Sequence, residues 1–215
     1  MNRKNSWWAI ATTAFILLWS PRDVALGING GQGRQEIARL AELTHWKAAT
    51  IVADVGAGDG TYSFMAAQKV GPSGRVYATE IDSEKLQQLR TGVTKRKVDN
   101  IIVVEGTADD TRLPSSCCDT IFLRHVYHHL TEPQEFNKNL VRSLKSGAYL
   151  AIIDFPPSPN SSLVEGVPKN RGGHGIPEKV MEDELTTAGL QVEKVIDDWS
   201  AQDYCVIFVK GSTTR

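Results

Sequence analysis

Short runs rich in valine and isoleucine alternate along this chain with stretches whose apolar residues recur at helical spacing, and that alternation constrains the fold most. The runs are TIVADVG (50–56), GRVYATEID (74–82), NIIVVEG (100–106), CDTIFLRHV (118–126) and GAYLAIIDF (147–155). Helical patterns at 61–71 and 83–96 lie between them, the first stopped at Gly71-Pro72, the second expected to be capped by Ser83. Another helix is expected from the Thr131 cap, with Pro133 near its start, to about Lys145. Ile37, Leu40, Ala41, Leu43 and Trp46 mark an amphipathic helix before the first strand. Strands separated by helices imply a parallel sheet covered on both faces. Right-handed crossovers narrow this to a doubly wound α/β sheet.

The end of the chain breaks the alternation. A helix over 177–190 starts at Pro177 and stops at Gly189. Two strands follow, QVEKVIDDW (191–199) and DYCVIFVKG (203–211), with only a short polar link. So short a link cannot cross over, so these strands form an antiparallel hairpin. The expectation is one seven-stranded sheet, mostly parallel, ending in a reversed strand. The segment 155–175, rich in proline, glycine and serine, reads as a lid or a disordered loop.

At 215 residues and 41% hydrophobic composition, the chain can bury one sizeable core. Its net charge of -1, without a long basic run, argues against a nucleic-acid partner. The mildly basic stretch 90–97 reads as a solvated helix end. Cys117, Cys118 and Cys205 form no CxxC pattern, and adjacent cysteines bridge poorly, so three free thiols are expected.

The first residues stand apart. MNRKNSWWAIATTAFILLWSPRDVALG (1–27) carries Arg3 and Lys4 before an apolar stretch over 7–19. As a helix that stretch reaches about 20 Å, short of a bilayer core of roughly 30 Å. It reads as a signal peptide with a small-x-small site at Ala25-Leu26-Gly27, or as a short uncleaved anchor. Residues 28–215 then form the folded domain, and membrane contact is confined to the N-terminal segment. Basic residues ahead of the apolar run favour an exported or membrane-anchored, extracytoplasmic domain. A cytoplasmic domain is the alternative location, and a buried N-terminal helix of the domain is the alternative reading of the segment.

The stretch VADVGAGDG (52–60) ends the first strand in a glycine turn, where a backbone can press close to a nucleotide. A phosphate loop requires G-x-x-x-x-G-K-[ST], and no such Gly-Lys pair is present. A dinucleotide turn requires G-x-G-x-x-G, but Gly56, Gly58 and Gly60 are spaced G-x-G-x-G, and Thr61 stands where the last glycine belongs. Glu80, at the end of the second strand, suits ribose hydroxyls in either kind of site.

VADVGAGDG, VYATEID, DDTRLP, CDTIFLRHVYHHL, LKSGAYLAIIDF and the closing hairpin, in that order, resemble a class I S-adenosylmethionine (SAM)-dependent methyltransferase. The likeness is to the small-molecule, ubiquinone/menaquinone-biosynthesis branch and covers about 33–210. It implies a Rossmann-like fold, SAM as cofactor and a small-molecule methyl acceptor. It also implies that Asp54 orders the turn and helps hold the methionine amino group. Gly56, Ala57, Gly58 and Gly60 would let the backbone approach the cofactor. Glu80 would hold the ribose, with Ile81 flanking adenine and Asp82 nearby. Ala108 and Asp109 match the segment that meets adenine. Many relatives carry Gly-Asp just before it, where this chain has Gly106-Thr107, leaving N6 recognition to Asp109 or Asp110. Arg124 and His125 end the fourth strand, where SAM and acceptor meet.

In HVYHHL, His125, His128 and His129 would share one helical face, a spacing that can bind a metal. The same His-His-Leu occurs in this family without one, so none is expected. His129 is read as structural, and His125 and Tyr127 as facing the acceptor, with His125 the general base if the acceptor is a hydroxyl. Asp154 reads as a pocket wall or a loop cap, and His174 as a lid residue or simply exposed. A degenerate SAM-fold binding protein is the alternative function. An NAD-dependent oxidoreductase is a third, which the closing hairpin argues against.

Overall fold

A computed structural model describes residues 29–158 and 162–212; the N-terminal apolar segment lies outside the described residues. The strands are β1 (Ile51–Val55), β2 (Arg75–Glu80), β3 (Ile101–Glu105), β4 (Cys118–Arg124), β5 (Leu144–Asp154), β6 (Leu190–Ile196) and β7 (Tyr204–Lys210). The helices are α1 (Asn29–Leu43), α2 (Thr61–Val70), α3 (Ser83–Arg96), α4 (Pro133–Ser143) and α5 (Glu178–Thr187).

Alternation along each strand divides the core into two layers. On β4, Ile121 and Leu123 face one side and Phe122 the other. On β5, Leu150 and Ile152 share the first side, Ala151 and Ile153 the second. On β7, Tyr204, Val206 and Phe208 oppose Cys205 and Ile207. Phe136 and Leu140 of α4, with Met181 and Leu185 of α5, cover the first layer. Ile37 and Leu40 of α1, Phe64 and Met65 of α2 and Leu89 of α3 cover the second. Each such side chain contributes about 1.5–3 kcal/mol by leaving water. The doubly wound reading holds because central strands apolar on both faces need helices on both sides.

The strand order is β3-β2-β1-β4-β5-β7-β6. β7 runs antiparallel to both β5 and β6. The reversed strand is therefore inside the sheet, and β6 takes the edge. β6 can do so because its middle residues, including Glu193 and Lys194, are exposed; charge on an edge discourages pairing with another sheet. The order of strand addition reverses between the parallel strands β1 and β4, which opens a crevice at their carboxyl ends.

Three local expectations change. Asp82, not Ser83, caps α3, because its carboxylate accepts from the Glu84 and Lys85 amides at 3.0 and 2.9 Å. Glu132, not Thr131, stands at the cap of α4. Cys117 and Cys118 are bonded to one another, and only Cys205 is a free thiol. A bridge between neighbours closes within one peptide link and needs no distant partner, so the geometric argument against it did not decide the outcome. Burial pushes the Cys205 thiol up to about 12, leaving it unreactive at neutral pH.

Candidate functional site

A cleft of about 570 Å³ opens at the switch point. Its walls include Gly56 and Gly58, Glu80 to Asp82, Gly106 to Ala108, Arg124 to Val126, and His129 to Thr131.

The glycine turn is closed by its own hydrogen bonds. The amides of Gly56 and Ala57 donate to Thr79 O at 3.0 and 2.8 Å, and that of Gly60 donates to Ala57 O at 2.9 Å. The Gly58 amide donates to Glu80 Oε2 at 2.7 Å, and the Thr61 amide to Asp59 Oδ1 at 2.9 Å. None of these five donors remains free for a phosphate. These five amides thus do not form the anion-binding cradle of a phosphate or pyrophosphate site. Its glycines serve for shape instead. Gly56 has φ +76, and a Cβ there would lie 2.4 Å from Val126 Cγ2. Gly60 has φ +85, and a Cβ there would lie 2.4 Å from Leu89 Cδ1, on the helix packed behind it. At Gly58 an added Cβ meets no protein atom within 4 Å, so its missing side chain leaves room on the cleft wall.

Glu80 ties the turn to β2. Besides Gly58, its carboxylate accepts from the Ile81 and Asp82 amides at 2.8 and 2.9 Å. A carboxylate has about four acceptor positions, which leaves one for a ligand hydroxyl. An acid at the centre and five turn amides already engaged fit a cationic, phosphate-free nucleoside such as SAM.

The other expected cofactor residues divide. Ile81, Asp82, Ala108 and Arg124 line the cleft, with Ile81 63% exposed beside it. Asp54, Ala57, Gly60 and Asp109 do not. Asp54 is buried behind the turn, where it accepts from Ser63 Oγ at 2.6 Å. Burial raises its carboxyl to about 7, against the opposing pull of the Ser63 hydrogen bond. Asp109 is exposed and accepts from the Thr107 hydroxyl at 2.7 Å, while Asp110 caps the Arg112 amide. Thr107, the departure from the family pattern, itself lines the cleft.

His125 lines the cleft with φ +56, an uncommon conformation for a side chain of its size. Arg124 Nη1 lies 3.2 Å from its Nδ1. A guanidinium only donates, so Nδ1 is the acceptor and the proton sits on Nε2. Nε2 is 2.9 Å from Asp203 Oδ1, out of line for a hydrogen bond. Arg124 also pairs with Glu36, Nε to Oε2 at 2.8 Å, and lies 3.6 Å from Asp203. Glu36 accepts in addition from Tyr62 Oη at 3.2 Å and Trp199 Nε1 at 3.4 Å. Burial is the main cause that pushes the Tyr62 phenol up and keeps it protonated.

Sequence reasoning missed Glu36 and Asp203. Glu36 left a signal: it sits beside Ile37 and one turn before Leu40 on the apolar side of α1, where an acid needs a partner. Asp203 left none, because only the β6–β7 connection brings it to β4.

Tyr127 does not face the acceptor. Its ring is fully buried, its hydroxyl donates to Glu184 Oε2 at 2.9 Å, and it accepts from Asn137 Nδ2 at 2.8 Å. The 3-10 turn Tyr127–His129 rotates it into the α4–α5 layer. Asp154 is not a pocket wall. It is fully buried; its Oδ2 accepts from the His128 amide at 3.1 Å, and its Oδ1 accepts from the Phe155 amide at 3.0 Å and lies 2.8 Å from His128 Nδ1. His128, not His129, is thus the buried structural histidine, and His129 lines the cleft. Burial, reinforced by His128 and His174, lowers the His129 pKa and favours the neutral ring. His125 does not join the other two. His174 does, its ring 4.9 Å from that of His128. The loop reaches there because Arg171, fully buried, pairs with Glu184 at 3.0 Å and donates to Tyr127 O at 2.7 Å.

The family described as "Methyltransferase domain" matches residues 53–152. The ubiquinone/menaquinone biosynthesis C-methyltransferase UbiE of Pseudomonas paraeruginosa is 27% identical over 138 residues, 64% of this chain and 54% of that protein. Demethylmenaquinone methyltransferase of Listeria monocytogenes is 26% identical over 121 residues, 56% of this chain and 50% of that one. The chain thus spans about half the length of the curated relatives it matches. A SAM-dependent methyltransferase from Aquifex aeolicus superposes with a TM-score of 0.69 at 27% identity, covering 82% of this chain and 92% of that one. Residues 53–152 thus match a methyltransferase domain, and the sheet order with the likeness to the Aquifex aeolicus structure gives the chain the fold of the class I SAM-dependent methyltransferases, which implies SAM as its cofactor.

Proposed function

We propose that the protein transfers a methyl group from SAM to a small-molecule acceptor held against the carboxyl ends of β4 and β5. The observation that carries this reading is the position of His125, on the cleft wall and in contact with Arg124 and Asp203. SAM, when bound, supplies a methyl on a sulfonium. Gly58 leaves the wall open to the ligand, and Glu80 keeps one acceptor position for a ribose hydroxyl. Arg124 and His125 border the acceptor side. Glu36 and Asp203 carry two negative charges against one on Arg124. The lone pair of His125 is on Nδ1, so with Arg124 Nη1 turned away from it the ring would take a proton from an acceptor hydroxyl and bring this set to neutrality, which is the role of a general base. Much of the acceleration in such a displacement comes from alignment and exclusion of water.

Calorimetry of the full chain with SAM, followed by detection of S-adenosylhomocysteine on incubation with extracted metabolites, tests the proposal. Binding with release supports it. Binding without release over a broad metabolite pool supports instead a SAM-fold binding protein without turnover, the reading that Thr107 favours. Absence of SAM binding refutes both. The apolar character of residues 7–19 supports an exported or anchored location for the domain. N-terminal sequencing of the mature protein tests it: a start at Ile28 supports cleavage, and an intact Met1 in the soluble fraction refutes export.

A further inference from the structure

His128, His129 and His174 each bring one ring nitrogen into a group whose members all lie within 4.8 Å of one another. Their burial differs in an informative way. His128 is 1% exposed, while His129 and His174 are open to solvent. The His128 Nδ1 contact with Asp154, at 2.8 Å, places the ring proton on Nδ1. Nε2 is therefore a lone-pair acceptor, and this buried atom has no hydrogen-bond partner among the described residues. A buried acceptor left bare costs stability unless something fills the position. The rings of His129 and His174 stand 4.0 and 4.9 Å from that of His128, centroid to centroid.

The placement of His174 is built into the fold. The Ile176 amide donates to Phe155 O at 2.9 Å and closes the neck of the loop. Gly175 has φ +97, and a Cβ there would lie 2.9 Å from Phe155 O, so only glycine lets the strands of the neck approach so closely. Phe155 packs against both His128 and His174, at 4.9 and 5.2 Å, and fixes their ring planes.

We propose that His128, His129 and His174 form a three-imidazole site for a divalent transition metal of the Zn²⁺ class, with Asp154 orienting His128 from behind. Three histidines with one open position is a known ligand set for such an ion, and imidazole suits Zn²⁺ over Mg²⁺ or Ca²⁺. A carboxylate on the far nitrogen of a ligating histidine fixes its orientation and raises its basicity. Tetrahedral coordination at about 2.0 Å places donor nitrogens roughly 3.3 Å apart, so the two exposed rings close inward by about 1.5 Å at most. The metal would bridge the 3-10 turn after β4 to the loop after β5. His129 belongs to both the metal site and the SAM cleft, so the open position lies on the acceptor side. There it would take water or an acceptor hydroxyl or thiol. Only this last consequence rests on the proposed methyl transfer; metal binding does not.

The test uses the full chain stripped with chelator, then titrated with Zn²⁺ and, separately, with Co²⁺. The expected result is one equivalent of Zn²⁺ by calorimetry, visible d–d absorption of tetrahedral Co²⁺, and slower proteolysis within 155–175 on loading. His174→Ala and His129→Ala change exposed side chains and should keep the fold by circular dichroism. Each should weaken Zn²⁺ at least 100-fold and abolish the Co²⁺ spectrum, and Asp154→Asn should weaken binding by about 10–100-fold. His45→Ala, remote from the cluster, should change nothing. Absence of binding, or binding that survives both His174→Ala and His129→Ala, overturns the assignment. SAM titration of the stripped protein is read separately, so failure of the metal site and failure of the methyltransferase reading are distinguishable.

Discussion

Replacing Asp54 with asparagine should remove a pH dependence of stability that originates in one buried carboxyl. Asp54 is 3% exposed, and burial raises its pKa from 3.8 to about 7, with Glu80 and Asp59 adding to the rise and Ser63 opposing it. A raised acid binds its proton more tightly in the folded state, so its stabilising contribution is fully present below pH 3.8 and is lost as pH rises to about 7. A pKa difference of about 3 at about 1.4 kcal/mol for each tenfold gives ~4 kcal/mol in total. About 3 kcal/mol of that falls between pH 5 and pH 8. Urea unfolding of both proteins at these two pH values provides the measurement. The asparagine variant should gain about 3 kcal/mol relative to the parent on moving from pH 5 to pH 8. Other titrating groups cancel in the comparison. Stability curves that stay parallel within about 0.5 kcal/mol would refute the assignment of a protonated Asp54 to the folded state.

Further substitutions separate the roles of neighbouring residues. Gly56→Ala, at φ +76 and against Val126, should cost about 2–4 kcal/mol in denaturant unfolding. Gly58→Ala should cost only about 1 kcal/mol, because its Cβ meets no protein atom, yet raise the SAM Kd about tenfold by entering the cleft. Glu80→Gln keeps the shape but presents a donor to amides that need an acceptor, so calorimetry should show SAM affinity falling at least tenfold. Tyr127→Phe should lower stability by about 1–3 kcal/mol through the Asn137–Glu184 network and leave the SAM Kd unchanged. A change confined to affinity would return Tyr127 to the cleft.

The central strands were legible because Ile121, Phe122 and Leu123, or Leu150 to Ile153, are apolar on both faces, a pattern that only a covered parallel sheet satisfies. The hairpin was legible from the short link between β6 and β7. Its place was not: hydrogen bonding of β7 to β5 as well as to β6 is a pairing between distant segments. Glu80 and the glycine turn were legible because backbone sterics and one carboxylate are local matters. The histidines were misread because helical periodicity was extended from His125 to His129, whereas the chain makes a left-handed step at His125 and then a single 3-10 turn. That step sends Tyr127 inward, His128 onto Asp154 and His129 into the cleft.

By itself the sequence determined the class of sheet, the location of the glycine turn and the exclusion of a phosphate loop, because these follow from periodicity and from residues adjacent in the chain. Only the tertiary structure decided which polar groups meet: Glu36 with Arg124, Asp203 with His125, His174 with His128. Those pairs join segments separated by 46 residues or more along the chain. Their approach is set by how helices and loops pack on the sheet, and no local preference encodes it.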